Sequence, residues 1–284
     1  NMVGIDFGLG EAVDMLRESV RAFAEKEIAP LAEAIDRENT FPKSLWAQLG
    51  ELGVHGITVG EEYGGADLGY TAHIVAMEEL SRASAAVGLS YGAHSNLCIN
   101  QIHRNGSQSQ KERYIPKLVS GEHVGALAMS EPDAGSDVVS MRLDASREGD
   151  CYILNGSKMW ITNGGIADIF IVFAKIEKDK FLSAFIVEKS FGGITMNDEE
   201  KKLGIKGSST RQIFFNDCKV PVENLLSKRE NGFKIALNVL NIGRIKLGAG
   251  VLGGCRGVID HVITYSNERI QSVSYTHLTL PTKA

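Results

Sequence analysis

The sequence predicts an α+β fold with three parts in order: an N-terminal helical domain, a middle β domain and an incomplete C-terminal helical bundle. Two observations support this prediction. Apolar residues recur at helical spacing through the first 120 residues and again after Asn231. Between these regions, short runs rich in β-branched and aromatic residues are separated by Gly, Asn and Asp. Strands and helices do not alternate, so a βαβ architecture is not expected.

Four helices are predicted in the N-terminal domain. The first three cover residues 13–31, 43–52 and 70–102. Pro30 is expected to disturb the last turn of the first helix, because proline lacks the amide hydrogen that a helix interior uses. Ser107 followed by Gln110 has the spacing of a capping box and therefore opens the fourth helix.

The middle domain is predicted to contain seven short strands, arranged as an antiparallel barrel or sandwich. Turns are expected at Gly149 and at the Asn155-Gly156 pair. The strands are expected over residues 126–130, 141–146, 151–154, 158–162, 169–175, 183–188 and 212–215.

Charge and hydropathy exclude several classes of function. The chain has 284 residues, and 30 Lys and Arg against 35 Asp and Glu give a net charge of −5. This balance, without a long basic run, disfavours binding to nucleic acid or an anionic membrane. No stretch approaches the roughly 18 apolar residues that a membrane span needs. Residues 1–10 also lack the features of a signal peptide, so a soluble intracellular protein is expected.

The cysteines and acidic residues do not predict a metal site. No CxxC pair occurs, and the helical runs contain no His, Asp or Glu cluster with metal-ligand spacing. We interpret the cysteines as buried free thiols in a reducing compartment. They are Cys98, Cys151, Cys218 and Cys255.

A literal GxGxxG occurs at Gly248 to Gly253. A dinucleotide site would need a strand before this motif and a further strand after it, yet the preceding residues keep helical spacing. Close helix–helix packing is the better interpretation, and an NAD-linked enzyme remains the alternative. The P-loop, the nucleophile elbow and the HExxH pair are absent from the sequence.

Two segments of the middle domain carry more specific chemistry. Residues 127–137 (LAMSEPDAGSD) run from a strand into a turn, which leaves backbone amides free to bind an anion or a ring carbonyl. Residues 158–164 (KMWITNG) bring together an indole, a hydroxyl and a flexible turn. Trp160 is either an ordinary core residue or a flat surface for stacking.

Together with FIVEK, LGIKGSST and FFNDCKVPVENLL, these segments resemble the acyl-CoA dehydrogenase family, in the right order over roughly residues 7–271. The first half is most similar to isovaleryl-CoA dehydrogenases. The second half is more similar to the very-long-chain or general bacterial branch, so the chain is either a divergent member or chimeric.

The resemblance implies an acyl-CoA dehydrogenase-like fold and an FAD-dependent oxidoreductase. Such an enzyme converts an acyl-CoA, here isovaleryl-CoA or another short or medium acyl-CoA, to the 2-enoyl-CoA in leucine or fatty acid catabolism. It implies electron-transfer flavoprotein as a partner and a homotetramer for the full-length parent. The expected location is the bacterial cytoplasm, or the mitochondrial matrix in a eukaryote. The domains are placed at residues 1–124, 125–227 and 228–271.

The resemblance also implies roles for individual residues. The flavin ring would lie along the segment ending at Ser130 and against Trp160, with the Thr162 hydroxyl near its N5 atom. Ser136 would contact the CoA moiety and belongs to the cofactor-binding set, and Arg269 would reach the flavin diphosphate of a neighbouring subunit. The full cofactor set is Leu127, Ala128, Met129, Ser130, Ser136, Trp160, Ile161, Thr162 and Arg269, and the substrate set is Ser136, Asn241 and Arg244.

One departure from the family concerns the catalytic base. The position that holds the glutamate in isovaleryl-CoA dehydrogenases is Gly243 here, and other branches place this glutamate later in the chain. Residues 272–284 match no family pattern and are expected to be foreign. We therefore expect a truncated, inactive and poorly soluble chain, in which Ile235, Val239, Val258 and Val262 lack partner helices. A non-catalytic acyl-CoA- or flavin-binding relative is the alternative.

Overall fold

A computed structural model of the chain describes residues 7–270, and the expected foreign tail at 272–284 lies outside them. The described part contains eight α-helices and eight strands. The helices are α1 Glu11–Phe23, α2 Ala32–Glu38, α3 Ser44–Glu51, α4 Gly69–Ala83, α5 Ala85–Gly92, α6 Asn100–Asn105, α7 Gln108–Val119 and α8 Gly232–Glu268. The strands are β1 Gly125–Ala128, β2 Asp144–Glu148, β3 Cys151–Thr162, β4 Ile169–Ile176, β5 Ser183–Glu188, β6 Ile194–Met196, β7 Thr210–Pro221 and β8 Leu225–Leu226.

The N-terminal helices are more segmented than the apolar spacing predicts. The first predicted helix changes to a π turn and then to a 3-10 turn that contains Pro30, before α2 begins. The predicted helix over residues 70–102 breaks at Ser84, whose extended backbone and side chain cap α5, and it contains a π turn at Ala93–Ile99. The capping box of Ser107 and Gln110 is confirmed at the start of α7.

The strands form one sheet in the order β6-β7-β3-β2-β4-β5-β8, with β1 beside β4. Most pairs are antiparallel, and the β2–β3 hairpin turns at Gly149, as predicted. The prediction of a purely antiparallel sheet is wrong, however, because β1 and β2 both pair with β4 in parallel. Spacing along one strand contains no information about the direction of its neighbour.

The turn predicted at Asn155-Gly156 is also wrong. Residues 151–162 form one strand, β3, with a register shift against β7 at this point. Gly156 has a φ of 140°, and a Cβ there would lie 3.0 Å from the Cα of Leu143. Glycine is therefore required for a bulge and a close approach of backbone, rather than for a chain reversal.

The helix α8 is a single helix of 37 residues that packs along α4. The Gly248–Gly253 motif lies in its interior with no strand before it, and a Cβ on Gly253 would collide with the Glu78 carbonyl of α4. The interpretation of this motif as a helix-packing surface holds for Gly250 and Gly253, which face α4, whereas Gly248 is exposed. Arg82 of α4 also pairs with Asp260 of α8.

By length and composition alone, α8 could cross a membrane, since an 18-residue window of it has a mean hydropathy of 1.3. The expectation that no stretch reaches this threshold is too strict, because the Ile, Val, Leu and Ala residues of α8 raise the mean hydropathy even though Gly and polar residues interrupt the apolar run. One such helix is weak evidence for a membrane span, because long helices in soluble proteins pass the same test.

Four apolar residues of α8 were expected to lack partner helices. Ile235 and Val239 are buried, so this expectation is wrong for them, whereas Val258 and Val262 are exposed.

Three apolar clusters form the core of the described residues. One lies among the N-terminal helices and α8, one joins helices to the sheet, and one lies between the strands. Representative members are Trp46, Met77 and Tyr91 in the first, Tyr114, Phe173 and Ile235 in the second, and Phe170, Phe185 and Phe215 in the third.

Candidate active site

The ends of β1 and β3 form one wall of a cavity of about 130 Å³. The Met159 amide donates to the Ser130 carbonyl at 2.8 Å, which holds the two segments together. We call this surface the β wall. It brings together most of the predicted cofactor residues, namely Leu127, Met129, Ser130, Trp160, Ile161 and Thr162, beside Ala93 and Leu97 of the helical domain.

Trp160 is an exposed residue rather than a core residue, so the interpretation of it as a surface for stacking stays open. It lies at the second irregularity of the β3–β7 pair, where its φ of 62° falls in the left-handed region. This backbone turns the side chain out of the sheet, and the residue remains 60% exposed. A strained, exposed indole at a bulge is typical of a site that binds a flat ring.

The hydroxyls of Ser130 and Thr162 are available as donors. Neither makes a hydrogen bond with any residue in the described part of the chain, and both residues line the cavity. Thr162 is the last residue of β3, paired with Thr210 of β7, so its backbone position is fixed. Ala128, which the prediction also assigned to the cofactor set, is fully buried and faces the core instead.

A buried ion pair holds the β wall from behind. The Lys158 ammonium donates to Glu131 Oε1 at 2.9 Å and to the Met129 carbonyl at 3.0 Å. Glu131 also accepts from the backbone amides of Arg142 and Leu143. Burial lowers the pKa of Lys158 to about 8, although Glu131 opposes this shift.

Sequence reasoning missed this pair. The available signal was a charged residue in each of the two motifs, Glu131 within residues 127–137 and Lys158 at the start of residues 158–164. A charged side chain is seldom fully buried unless it is paired, so two such residues in adjoining apolar segments point to each other.

A second cavity of about 210 Å³ adjoins the first and shares Ala93, Leu97 and Thr162 with it. One side consists of α8, and we call this side, together with Asn96, the helical wall. Its lining is mostly apolar. The polar lining residues are Asn96, Thr162, Arg244 and Lys246, and the others are Met77, Leu89, Gly92, Ala93, Leu97, Val239, Leu240, Gly243 and Leu247.

The lining of both cavities contains no carboxylate among residues 7–270. Gly243 lies on the helical wall, and a Cβ there would lie 3.5 Å from Asn96 Nδ2 and 3.6 Å from Leu97 Cδ2. These are ordinary contact distances. A Cβ at this position is therefore accommodated beside the cavity without displacing these two neighbours.

Among the other predicted site residues, Arg244 lines a cavity, whereas Asn241, Ser136 and Arg269 do not. Arg244 lines the second cavity and donates to Asn241 Oδ1 at 3.4 Å, whereas Asn241 is exposed and reaches the cavity only through this arginine. Ser136 is exposed in the loop after β1, outside the lining of both cavities. Arg269 lies at the end of α8, where it donates to the Tyr265 hydroxyl at 2.7 Å, and it lines neither cavity.

The cysteines are all free, but only two are buried. Burial raises the pKa of Cys98 to about 12 and that of Cys218 to about 11, so both are inert thiols. Cys151 is half-buried and Cys255 is exposed. The interpretation of all four as buried is therefore wrong for the exposed Cys255 and for the half-buried Cys151.

Comparison with known proteins identifies the class. The N-terminal, middle and C-terminal domains of acyl-CoA dehydrogenase match residues 10–122, 126–218 and 230–274. The chain belongs to the acyl-CoA dehydrogenase family. The resemblance based on the motifs and the α+β fold class are both confirmed, whereas the proposed domain boundaries remain predictions.

Individual relatives refine this placement. The chain is 51% identical to the mitochondrial isovaleryl-CoA dehydrogenase of Pongo abelii, covering 92% of this chain and 64% of that protein. It is 45% identical to an acyl-CoA dehydrogenase of Bacillus subtilis, covering 90% and 69%. The solved butyryl-CoA dehydrogenase of Megasphaera elsdenii matches with a TM-score of 0.89 and 37% identity, covering 94% and 72%. The chain thus spans about two thirds of the length of such relatives.

Proposed function

We propose that the chain binds FAD and an acyl-CoA thioester as part of an FAD-dependent acyl-CoA dehydrogenase. One observation carries the proposal: the two cavities meet at Thr162 and share Ala93 and Leu97. A flat ring on the β wall would therefore face an acyl group on the helical wall directly. Isovaleryl-CoA or another short or medium acyl-CoA is the proposed substrate.

The residues of the β wall fit a flavin. An isoalloxazine ring needs a flat apolar contact and donors for its nitrogen and carbonyl acceptors, and Trp160, Ser130 and Thr162 offer this set. When bound, FAD would accept the hydride from the substrate β-carbon. The task of Thr162 is to donate a hydrogen bond at the ring edge that faces the acyl cavity, and that of Trp160 is to pack on the ring.

The helical wall supports binding of the thioester. Arg244 is an exposed guanidinium at the rim of the apolar cavity, suited to the anionic CoA moiety. Removal of the substrate α-proton needs a base, and Gly243 offers none. We therefore propose that residues 7–270 bind cofactor and substrate without supplying that base, which keeps the non-catalytic relative as the second candidate.

Reoxidation of the flavin needs an electron acceptor, and we propose electron-transfer flavoprotein for the whole enzyme. A homotetramer is proposed for the whole enzyme, because Arg269 matches an arginine of the family that reaches the flavin diphosphate of a neighbouring subunit. Relatives occur both in mitochondria and in bacteria. The bacterial cytoplasm or the mitochondrial matrix is accordingly the proposed location.

The proposal is tested by loading the 284-residue chain with FAD and removing unbound flavin by gel filtration. Isovaleryl-CoA and butyryl-CoA are then added without oxygen, and loss of flavin absorbance is followed. Gly243→Glu places a carboxylate in the cavity, and Gly243→Gln is its isosteric control without basicity. A positioned base contributes about 10²–10⁴-fold, so we expect rapid bleaching for Gly243→Glu alone.

Three results would contradict the proposal. Failure of the chain to retain FAD would remove the cofactor assignment. Equal bleaching by Gly243→Gln and Gly243→Glu would show that the carboxylate is irrelevant. Rapid bleaching by the unmodified chain would show that residues other than Gly243 supply the base.

A further inference from the structure

Lys246 is a buried ammonium without a carboxylate partner. It is 2% exposed and lines the second cavity. Its Nζ donates to Asn96 Oδ1 at 2.9 Å and lies 4.9 Å from the centre of the Tyr70 ring. No carboxylate oxygen of the described residues lies within 4.0 Å of it.

Asn96 leaves a second donor unused beside this lysine. The residue is 1% exposed, and its carbonyl accepts from Gln101. Its Oδ1 accepts from Lys246, whereas Nδ2 donates to no residue in the described part of the chain. Nδ2 lies 3.5 Å from the position of a Cβ on Gly243, on the cavity side. Two adjacent donors, Lys246 Nζ and Asn96 Nδ2, therefore border the second cavity. The side-chain oxygen that Lys246 meets there is Asn96 Oδ1.

Such a pair is costly to bury without an acceptor. Burial lowers the pKa of Lys246 to about 7, and desolvation is the only cause, since no anion opposes it. The titratable group of α4 that senses this charge is His73, whose own pKa is lowered by burial and by Lys246. A leucine or methionine would line an apolar cavity at lower cost. The donors are therefore best explained by an oxygen acceptor that enters with the ligand.

We infer that Lys246 and Asn96 select an acyl group that carries a carboxylate at its far end. The inference rests on the proposed function, because it requires the acyl group to occupy the second cavity. Lys246 lies three residues after Gly243 on the same face of α8, a rise of about 4.5 Å. The inference places the α-carbon of the thioester at the level of Gly243, so that acyl carbons extending along α8 towards Lys246 would reach this pair.

The test compares glutaryl-CoA with pentanoyl-CoA, which have the same number of acyl carbons and differ in a terminal carboxylate or methyl group. Dissociation constants are measured by titration calorimetry with the FAD-loaded 284-residue chain. The variants are Lys246→Met and, as a control for net charge, Lys234→Met, since Lys234 is an exposed lysine of the same helix. We expect the chain to prefer glutaryl-CoA by about tenfold or more, and Lys246→Met alone to abolish this preference.

A second measurement does not depend on any variant. At pH 8, an uncharged Lys246 that meets a carboxylate becomes protonated, so glutaryl-CoA should bind with uptake of nearly one proton and pentanoyl-CoA with none. Buffers of different ionisation enthalpy report this difference. Tighter binding of pentanoyl-CoA, or an unchanged preference in Lys246→Met, would overturn the inference and leave the proposed function intact. Binding of neither thioester would overturn both.

Discussion

Each of the two walls of the site contains one buried lysine, and the surroundings of these two lysines differ. On the β wall, the ammonium of Lys158 meets Glu131, the Met129 carbonyl and the sulfur of Met141, and the carboxylate of Glu131 is satisfied in turn by two backbone amides. On the helical wall, the ammonium of Lys246 meets one side-chain amide and the face of one ring.

This difference separates a structural charge from one that faces a ligand. A closed network of a buried cation, an anion and backbone groups fixes the loops that it joins, and removal of one member leaves the other unpaired. A buried charge with spare donors beside a cavity is instead typical of a binding site. The same substitution at the two lysines should therefore have opposite effects.

The largest effect is expected from Lys158→Met. It leaves the Glu131 carboxylate buried without its cation, and loss of one partner of a buried pair costs about 3–5 kcal/mol. The free energy of unfolding, measured in urea, should fall by this amount, and FAD should be lost with it because the Met129–Ser130 segment loses its anchor. Lys219→Met, at an exposed position on β7, is the control.

The double variant Glu131→Gln with Lys158→Met sharpens this comparison. Replacement of both partners leaves no uncompensated charge, so part of the lost stability should return. A single Lys158→Met chain as stable as its parent would show that the ion pair does not hold the β wall.

Thr162→Ala tests whether the Thr162 hydroxyl on the β wall contributes to the rate of flavin reduction. In the Gly243→Glu chain, flavin bleaching by isovaleryl-CoA should slow on the order of a hundredfold, because one donor aimed at developing charge is lost. The dissociation constant for isovaleryl-CoA should change little. Thr162→Ser keeps the hydroxyl and should restore the rate, whereas an unchanged rate with alanine would remove Thr162 from this role.

Lys246→Met should change how stability depends on pH. The pKa of Lys246 is about 7 in the folded chain against an ordinary 10.5, so the unfolded chain binds more protons between these values. The penalty is complete below pH 7 and fades as pH rises, by up to about 1.4 kcal/mol per pH unit. Lys246→Met should therefore be more stable than its parent at pH 7, with the difference shrinking by pH 9.

Urea unfolding at pH 7, 8 and 9 measures this difference, and Lys234→Met serves again as the control. Groups such as Lys158, whose pKa is also lowered, titrate equally in both chains and cancel. A constant difference between parent and variant across these pH values would mean that Lys246 is not a desolvated ammonium.

Arg244→Ala should have the smallest effect. Arg244 is exposed at the rim of the helical wall, and exposed charges contribute about 0.2–1 kcal/mol. We expect the KM for acyl-CoA to rise by up to about fivefold in the Gly243→Glu chain, with turnover nearly unchanged. Arg244→Lys should retain part of the binding. A normal KM for several acyl-CoAs would contradict this role.

The sequence alone determined the order of the domains, the capping box at Ser107 and the packing role of Gly253. Each of these depends on residues close together in the chain, where spacing and residue type report local geometry directly. The family pattern added the absence of a carboxylate at Gly243, since that position could be compared residue by residue.

Only the tertiary structure decided how distant segments meet. It paired β1 and β2 with β4 in parallel and made Gly156 a bulge where the local pattern predicts a turn. It also joined Lys158 to Glu131 across 27 residues, and Lys246 to Asn96 across 150. The residues of such contacts carry no periodic signal, because whether a lysine is solvated, paired or exposed to a ligand depends on what the fold places beside it.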